Sequence, residues 1–309
     1  MSGGLFINRQ MKTLKNIISK KIKKISRNII KSEFGGQLTR IAFHSKFFKI
    51  TSNMIYELMD RKLLEDVRKY KMPEHIAIIM DGNRRFADEF GLGHKTGHIR
   101  GRDKLKEVVE WCFSEVGLKV LTVYAFSSEN FRRDDDEVNS IMNLCAEELE
   151  KGVNDPRVHN NKICIRVVGH LESLPKEVRN AAKRIMNDTK NYNKHFFNLA
   201  LAYGGRQDII QAIHHIAKDV KNNRLKSEDI GEEIISSYLY TNGLPDPNLV
   251  LRTSGEKRLS NFLLWQAAHS DLYFSDVYWP GLKKRDILKA IRNYQQRQSS
   301  FNDYISDPI

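Results

Sequence analysis

Residues 75–87 read His75-Ile76-Ala77-Ile78-Ile79-Met80-Asp81-Gly82-Asn83-Arg84-Arg85-Phe86-Ala87. The apolar, isoleucine-rich run His75–Met80 has the length of a strand and no polar alternation, so both of its faces are expected to be covered. Gly82 breaks the run, and the residues beyond it are compatible with a helix. Outward from this strand–turn–helix unit the same alternation repeats. Further candidate strands are Val120–Phe126, Lys162–Val168, Phe196–Ala202, Asn248–Arg252 and Asp271–Ser275, with an additional one at Phe262–Gln266. Helical stretches fall near 98–116, 136–152, 175–190, 206–222, 227–240 and 284–298. Strands separated by crossover helices imply an α/β fold with a mainly parallel central sheet flanked by helices.

Ligands of such sheets bind outside the carboxyl ends of the strands, so the polar residues that follow strands matter most. After the first strand come Asp81, Gly82 and Asn83 with Arg84 and Arg85, a glycine turn with a carboxylate beside it for a metal. The second is followed by Ser127-Ser128-Glu129-Asn130-Phe131-Arg132-Arg133, and the fifth ends in Arg252-Thr253-Ser254-Gly255-Glu256-Lys257-Arg258-Leu259-Ser260. Any one such loop alone reads as a solvated turn. Three at separate strand ends make a site for phosphate oxygens, which arginine forks bind in pairs. Gly91-Leu92-Gly93 only mimics a dinucleotide fingerprint, because a helical segment separates it from the strand. His94 and His98 lie four apart but lack the HExxH order of a metal site.

The net charge of +13 is unevenly placed: residues 1–50 hold 12 Lys+Arg and one acid, Glu33. There Met11, Leu14, Ile18, Ile22, Ile25 and Ile29 alternate with lysines, the pattern of a cationic amphipathic helix. Such a helix suits an anionic bilayer, a nucleic acid or an organellar transit peptide, with the bilayer the leading reading. Its basic residues are interleaved with isoleucine rather than with stacking aromatics, which argues against nucleic acid. A second amphipathic helix is expected within residues 33–72. The protein is accordingly expected to be cytoplasmic and peripherally membrane-associated, with no secretory signal and no apolar run of 18 residues. Cys112, Cys145 and Cys164 form no paired or metal-binding pattern and read as reduced core residues.

The strings His75 to Ala87, Gly97-His98, Tyr124 to Arg133, Tyr203-Gly204-Gly205-Arg206, Arg252 to Phe262 and Phe274 to Pro280 resemble, in order, the motif regions of the cis-prenyltransferases, the family of undecaprenyl and dehydrodolichyl diphosphate synthases. The resemblance covers roughly residues 73–298. It does not extend to the N-terminal arm, so the chain divides into a basic amphipathic extension over 1–72, a catalytic domain over 73–300 and a tail over 301–309. The resemblance implies condensation of isopentenyl diphosphate with an allylic prenyl diphosphate, giving a medium-to-long polyprenyl diphosphate for lipid glycosyl carriers. In the family's terms Asp81, a surface carboxylate at a strand end, organises Mg2+ and the allylic diphosphate on the amides of Gly82 to Arg85. Arg84, Arg85, Phe86, His94, Phe131 and Arg133 fall at substrate-binding positions, and Arg252, Arg258 and Ser260 at those holding isopentenyl diphosphate. Asn83, His98, Ser127 and Asn130 match the polar group near the reacting carbons. Leu121, Val123, Ala125 and Ser127 fall on one face of the second strand, and Val138, Ile141, Met142, Cys145 and Leu149 form an apolar stripe that alone reads as core packing. With the resemblance that stripe becomes a tunnel wall, and the small Ala125 offers no early block to growth.

Three departures stand out. Asp271 replaces a glutamate that many members use towards the metal, and His94 replaces an arginine. The Arg-x-Gly of single-subunit members is absent, its place taken by Gln298-Ser299-Ser300-Phe301-Asn302. This implies a dimer, either a homodimer or a heterodimer with a same-fold subunit that carries Arg-x-Gly. A non-catalytic accessory subunit would show the reverse pattern, losing Asp81 and keeping Arg-x-Gly.

Overall fold

The computed structural model describes residues 56–306, with side chains through Gln298. The basic helix expected over residues 11–29 lies outside the described residues, as do the side chains from Ser299 onward. The described chain opens in helix α1 (56–67), whose Leu64 and Val67 are buried in the main core. There follow β1 (His75–Ile79), α2 (Asn83–Glu89), α3 (His94–Glu110), a wider helical turn (Trp111–Val116), β2 (Val120–Ser127), α4 (Asp135–Val153), α5 (Pro156–Asn160) and β3 (Ile163–Val168). The remainder is α6 (Lys176–Thr189), β4 (His195–Tyr203), α7 (Gly205–Lys221), α8 (Glu232–Tyr238), β5 (Leu249–Arg252), β6 (Asp271–Phe274) and α9 (Lys284–Ser306).

The six strands form one sheet in the order β3-β4-β2-β1-β5-β6, and every neighbouring pair is parallel. All five residues of β1 are buried, as its unbroken apolar run requires. Ile76 and Ile78 pack into one core with Val108, Leu121, Val123, Met142 and Ile185, whereas Ala77 and Ile79 face a smaller cluster with Tyr124, Tyr203 and Phe262. The connection after β1 leads to β2 on one side, and that after β5 leads to β6 on the other. The carboxyl ends of β1 and β5 therefore flank the crevice where ligands of open α/β sheets bind.

Local chemistry fixes the elements around that crevice. Gly82 sits at φ +101, and a Cβ there would come within 2.8 Å of the Tyr278 ring and 2.9 Å of Ser254. On α3, Gly97 and Gly101 form a groove for α2: added Cβ atoms would lie 2.4 Å from the Asn83 carbonyl and 2.5 Å from its side-chain oxygen. Helix α4 begins at Asp134, whose side chain accepts the Asp136 amide, and Asp135, Asp136 and Glu137 occupy its first turn, where the helix dipole favours acids.

Phe262–Gln266 forms turns instead of the expected strand, and Leu263 has φ +42. The helix expected over 227–240 is a short turn followed by α8, separated at Gly231. Strand β2 is irregular between Tyr124 and Ser127. In consequence Ala125 and Phe126 both reach the larger core, where strict alternation would separate them. Cys112 and Cys164 are buried and Cys145 is half-buried, all three as free thiols. Among the described residues no helix is long and apolar enough to cross a membrane.

His75 illustrates how tightly the sheet holds a polar group. Its Nδ1 donates to the Pro245 carbonyl at 2.7 Å and its Nε2 accepts from Thr122 Oγ1 at 2.8 Å. Burial pushes its pKa down to about 4 from 6.5. The unfolded chain takes up this proton near pH 6.5 and the folded chain only near pH 4, so the stabilisation is complete above pH 6.5 and is lost as pH falls from there towards 4. We expect the unfolding free energy from urea titrations to fall by roughly 3 kcal/mol more over that window in the wild type than in His75→Gln. Parallel pH profiles of the two proteins would contradict this.

Candidate active site

The register Ile79↔Arg252 brings the end of β1 beside the end of β5. Asp81 Oδ2 accepts from Arg252 Nη2 at 2.7 Å and Oδ1 from Arg85 Nη2 at 3.2 Å. The Thr253 hydroxyl accepts the Asp81 amide at 2.9 Å and donates to the Asp81 carbonyl at 2.7 Å. Burial acts to raise the Asp81 pKa, but the Arg252 hydrogen bond and charge outweigh it, with Arg85 adding to them, and the pKa is lowered. The carboxylate is therefore ionised near neutrality. It is not the free surface group expected from the sequence, because it neutralises Arg252, whose side chain is only 5% exposed.

Arg252 also binds the following loop: Nη1 donates to Ser260 Oγ at 2.7 Å and to the Arg258 carbonyl. That loop holds Ser254, Ser260, Asn261 and Leu263 at positive φ, a concentration of strain that local packing has to sustain. Arg258 is exposed and pairs with Glu256. Arg85 reaches the same loop, donating from Nη2 to Ser254 Oγ at 2.5 Å and from Nη1 to Glu256 at 3.4 Å, and its guanidinium lies 5.9 Å from the Tyr278 ring centre.

A second cluster forms around Glu137, which the sequence reading did not single out. Its Oε1 accepts from His98 Nε2 and from Arg133 Nη1, each at 2.9 Å, while Arg84 lies 3.8 Å from Oε2. Burial acts to raise the Glu137 pKa, but the His98 hydrogen bond and the Arg133 charge outweigh it. An ionised Glu137 can only accept, so His98 Nε2 is the donor and Nδ1 is the acceptor of the ring. Burial lowers the His98 pKa despite Glu137, so the ring is neutral near pH 7. The i,i+4 spacing of Arg133 and Glu137 was the available signal.

Asn83 is half-buried beside Gly101, and its buried Oδ1 has no protein partner. Ser127 and Asn130 form a reciprocal capping box, the Ser127 amide donating to Asn130 Oδ1 at 3.0 Å. Phe131 packs edge-on against Phe126 at 4.9 Å, and Phe86 meets Phe90 at 4.7 Å with the rings tilted by 41°. His94 and His98 do not converge, since His94 pairs with the exposed Asp88 at 2.9 Å. Below these groups lies an apolar cavity of about 390 Å³ that Asn83, His98, Ala125, Ile141, Cys145 and Leu149 help to line. Of the expected tunnel stripe, Met142 and Val138 pack into the core instead.

Asp271 is not brought to Asp81 within this chain. It opens β6, pairing with Leu249, whereas Phe274 pairs with Arg252 at the site. Three residues of strand separate the two levels, roughly 10 Å. Its partners are Arg297 at 3.2 Å and Gln298 at 3.3 Å. Among the described residues no group of three or more His, Cys, Asp or Glu side chains could hold a metal. Asp81 nonetheless fits Mg2+, which takes one or two carboxylates and completes its shell with phosphate oxygens and water.

The comparisons agree with this geometry. The family model described as undecaprenyl diphosphate synthase matches residues 79–302, the span that contains both clusters and the cavity. The chain is 50% identical over 264 residues to the tritrans,polycis-undecaprenyl-diphosphate synthase (geranylgeranyl-diphosphate specific) of Pyrococcus furiosus, covering 85% of this chain and 98% of that protein. It is 47% identical over 251 residues to the protein of the same description from Picrophilus torridus, covering 81% of this chain and 98% of that one. The crystal structure of lavandulyl diphosphate synthase from Lavandula x intermedia in complex with dimethylallyl diphosphate superposes with a TM-score of 0.67 at 32% identity, over 72% of this chain and 95% of that one. Arginine-bound strand ends above an apolar cavity and this depth of sequence similarity lead to one statement: the chain belongs to the undecaprenyl diphosphate synthase family of cis-type prenyltransferases.

Proposed function

We propose that the protein condenses isopentenyl diphosphate with an allylic prenyl diphosphate and repeats the addition to a medium-to-long polyprenyl diphosphate, the form used by lipid glycosyl carriers. Geranylgeranyl diphosphate, named for both archaeal relatives, is the primer we assign. The observation that carries this reading is Asp81 held between Arg85 and Arg252 above an apolar cavity. Arg84, Arg85 and Arg133 then hold the allylic diphosphate, while Arg252, Arg258 and Ser260 hold that of isopentenyl diphosphate. Charge developing on the departing diphosphate meets arginines that are already fixed by their carboxylates, so little reorganisation is needed. Holding the second double bond beside the allylic carbon makes condensation effectively unimolecular, and we assign the uptake of the released proton to the polar group that includes His98. Mg2+ bound at Asp81 would supply Lewis-acid stabilisation of the leaving diphosphate. The basic N-terminal arm is assigned to an anionic membrane surface on the cytoplasmic side, on the strength of its charge and apolar stripe. Labelled isopentenyl diphosphate incubated with geranylgeranyl or farnesyl diphosphate and Mg2+, followed by product sizing, tests the whole reading; no labelled polyprenyl product with either primer, alone or with a same-fold subunit, would reject it.

Asp81→Asn preserves the shape beside Arg252 and removes the charge, so it should abolish turnover while leaving the thermal melt cooperative. Near-normal turnover at saturating Mg2+ would refute the role of Asp81. Arg258→Ala should raise the KM for isopentenyl diphosphate roughly tenfold to a hundredfold, the worth of one charge-assisted contact, with the fold intact. Arg252→Ala should in addition lower stability, because it strips the partner from Asp81 and the anchor from the loop. A change confined to the KM of the allylic substrate would mean the two diphosphate sites are interchanged. For the missing Arg-x-Gly, the chain alone should be weakly active and should gain strongly from a same-fold subunit carrying the motif. Grafting Arg-Phe-Gly at 300–302 should raise its solo activity, and full activity of the unmodified chain alone would favour a self-sufficient homodimer.

A further inference from the structure

The segments that follow β2, β4 and β5 meet at Asn261. Its Nδ2 donates to Glu129 Oε1 at 2.9 Å, in the short 3-10 turn Ser128–Arg132 after β2, and more weakly to Gln207 Oε1 at 3.4 Å. Its Oδ1 accepts the Arg206 amide at 2.9 Å and its carbonyl accepts the Gly205 amide at 2.6 Å, so the first turn of α7 is held as well. The junction is tight: a Cβ on Gly204 would lie 2.7 Å from Asn261 Nδ2 and 2.9 Å from Ser128 Oγ. Ser260 and Asn261 stand at φ +50 and +62. Consecutive non-glycine residues in the left-handed region persist only where their surroundings hold them. Asparagine tolerates that region better than most residues, and the bonds of Asn261 fix the backbone from which Ser260 projects.

Glu129 plays the matching part on the other loop. The capping box between Ser127 and Asn130 makes the turn one unit, so Glu129 moves with Ser127, Asn130 and the adjoining Arg133. Burial acts to raise the Glu129 pKa, but hydrogen bonds from its own amide and from Asn261, Ser127 and Ser128 outweigh it, and the carboxylate is ionised near neutrality. An ionised carboxylate only accepts, which sets Nδ2 of Asn261 toward Glu129 and Oδ1 toward the Arg206 N–H. Each loop is also fastened by itself, the first by its capping box and the second by Arg252 and the α7 amides. The Glu129–Asn261 bond is therefore not what forms either loop. It adds a direct link between the loop assigned to the allylic diphosphate and the one assigned to isopentenyl diphosphate.

We propose that Glu129 and Asn261 are positioning residues that couple the two diphosphate sites, so that an allylic diphosphate on Arg133 strengthens the binding of isopentenyl diphosphate at Arg258 and Ser260. The inference rests on the substrate assignment proposed above. An allylic diphosphate drawn onto Arg133 fixes the turn that carries Glu129, Glu129 then holds Asn261, and Asn261 holds Ser260 in its strained backbone. Coupling of this kind is reciprocal, so isopentenyl diphosphate tightens the allylic substrate by the same factor.

The test is calorimetric. Isopentenyl diphosphate is titrated with Mg2+ into the turnover-competent protein, alone or with its same-fold subunit, in the absence and presence of saturating geranylgeranyl thiodiphosphate, an analogue whose bridging sulfur replaces the labile oxygen. In the wild type the analogue should lower the Kd for isopentenyl diphosphate roughly fivefold or more, the lower end of ordinary couplings. Glu129 is exposed, so Glu129→Ala leaves no cavity and should remove the coupling while the melt stays cooperative. Asn261→Asp keeps the acceptor for the Arg206 N–H but sets two carboxylates face to face, and should also remove it. Glu129→Gln keeps an acceptor and should keep the coupling. Combined with Asn261→Asp, it restores the bond with donor and acceptor exchanged and should recover the coupling that Asn261→Asp alone has lost. A merely structural role would weaken both substrates alike and leave the ratio of the two Kd values unchanged, and that result would overturn the inference. So would wild-type coupling in Glu129→Ala, no coupling in the wild type, or no recovery in the double variant. Absence of polyprenyl product from the wild type would instead remove the activity on which the inference rests.

Discussion

The contact between Asp81 and Arg252 is the constraint from which the rest of the site follows. It exists because β1 and β5 are parallel neighbours whose onward connections leave in opposite directions, so their carboxyl ends stay uncovered. Arg252 is almost wholly buried, and a buried guanidinium without a counter-charge would be strongly destabilising. Asp81 supplies that charge and is held ionised by it. The other arm of Arg252 ties down Ser260 and the Arg258 carbonyl, and so sustains a loop in which four non-glycine residues sit at positive φ. One residue at a strand end therefore fixes a carboxylate, a strained loop and the position of Arg258.

Charge balance explains why this region suits an anion even though its arginines are paired. Arg84, Arg85, Arg133, Arg252 and Arg258 face three carboxylates, Asp81, Glu137 and Glu256. An excess of positive charge remains in a partly buried setting, where it is screened less than on the open surface. The carboxylates also hold the guanidinium forks in place before any substrate arrives. A diphosphate entering the site can exchange with Glu137 and Glu256 for donors that need not be gathered from solvent.

The strands were legible because they are short β-rich runs, and each of the six observed lies within about two residues of its expected bounds. The extra strand at Phe262–Gln266 failed for an instructive reason. Phe262 and Leu263 are fully buried, and an apolar run reports burial before it reports backbone conformation. Local spacing likewise placed Ser127 and Asn130 together, and they do form one capping box. Long-range pairings were not legible in this way. Asp81 reads as a surface carboxylate because its partner is 171 residues away. Glu137 reads as an ordinary acid in the first turn of a helix, because only the fold reveals His98 beside it. The irregularity in β2, which carries both Ala125 and Phe126 to the larger core, leaves no mark in composition either.

The position of Asp271 bears on how the C-terminal helix relates to the site. Asp271 stands at the amino end of β6 and binds Arg297 and Gln298 of α9. Asp81 follows the carboxyl end of β1, and register along the parallel strands already separates Asp271 from that end by roughly 10 Å. The helix is thus fastened to the base of the sheet at the residue where the stretch matching Arg-x-Gly begins, and it continues as helix to Ser306. A helix held there cannot bring residues 300–302 back to its own Asp81 without releasing Asp271. Within this chain, then, the C-terminal helix is held to the end of the sheet opposite Asp81.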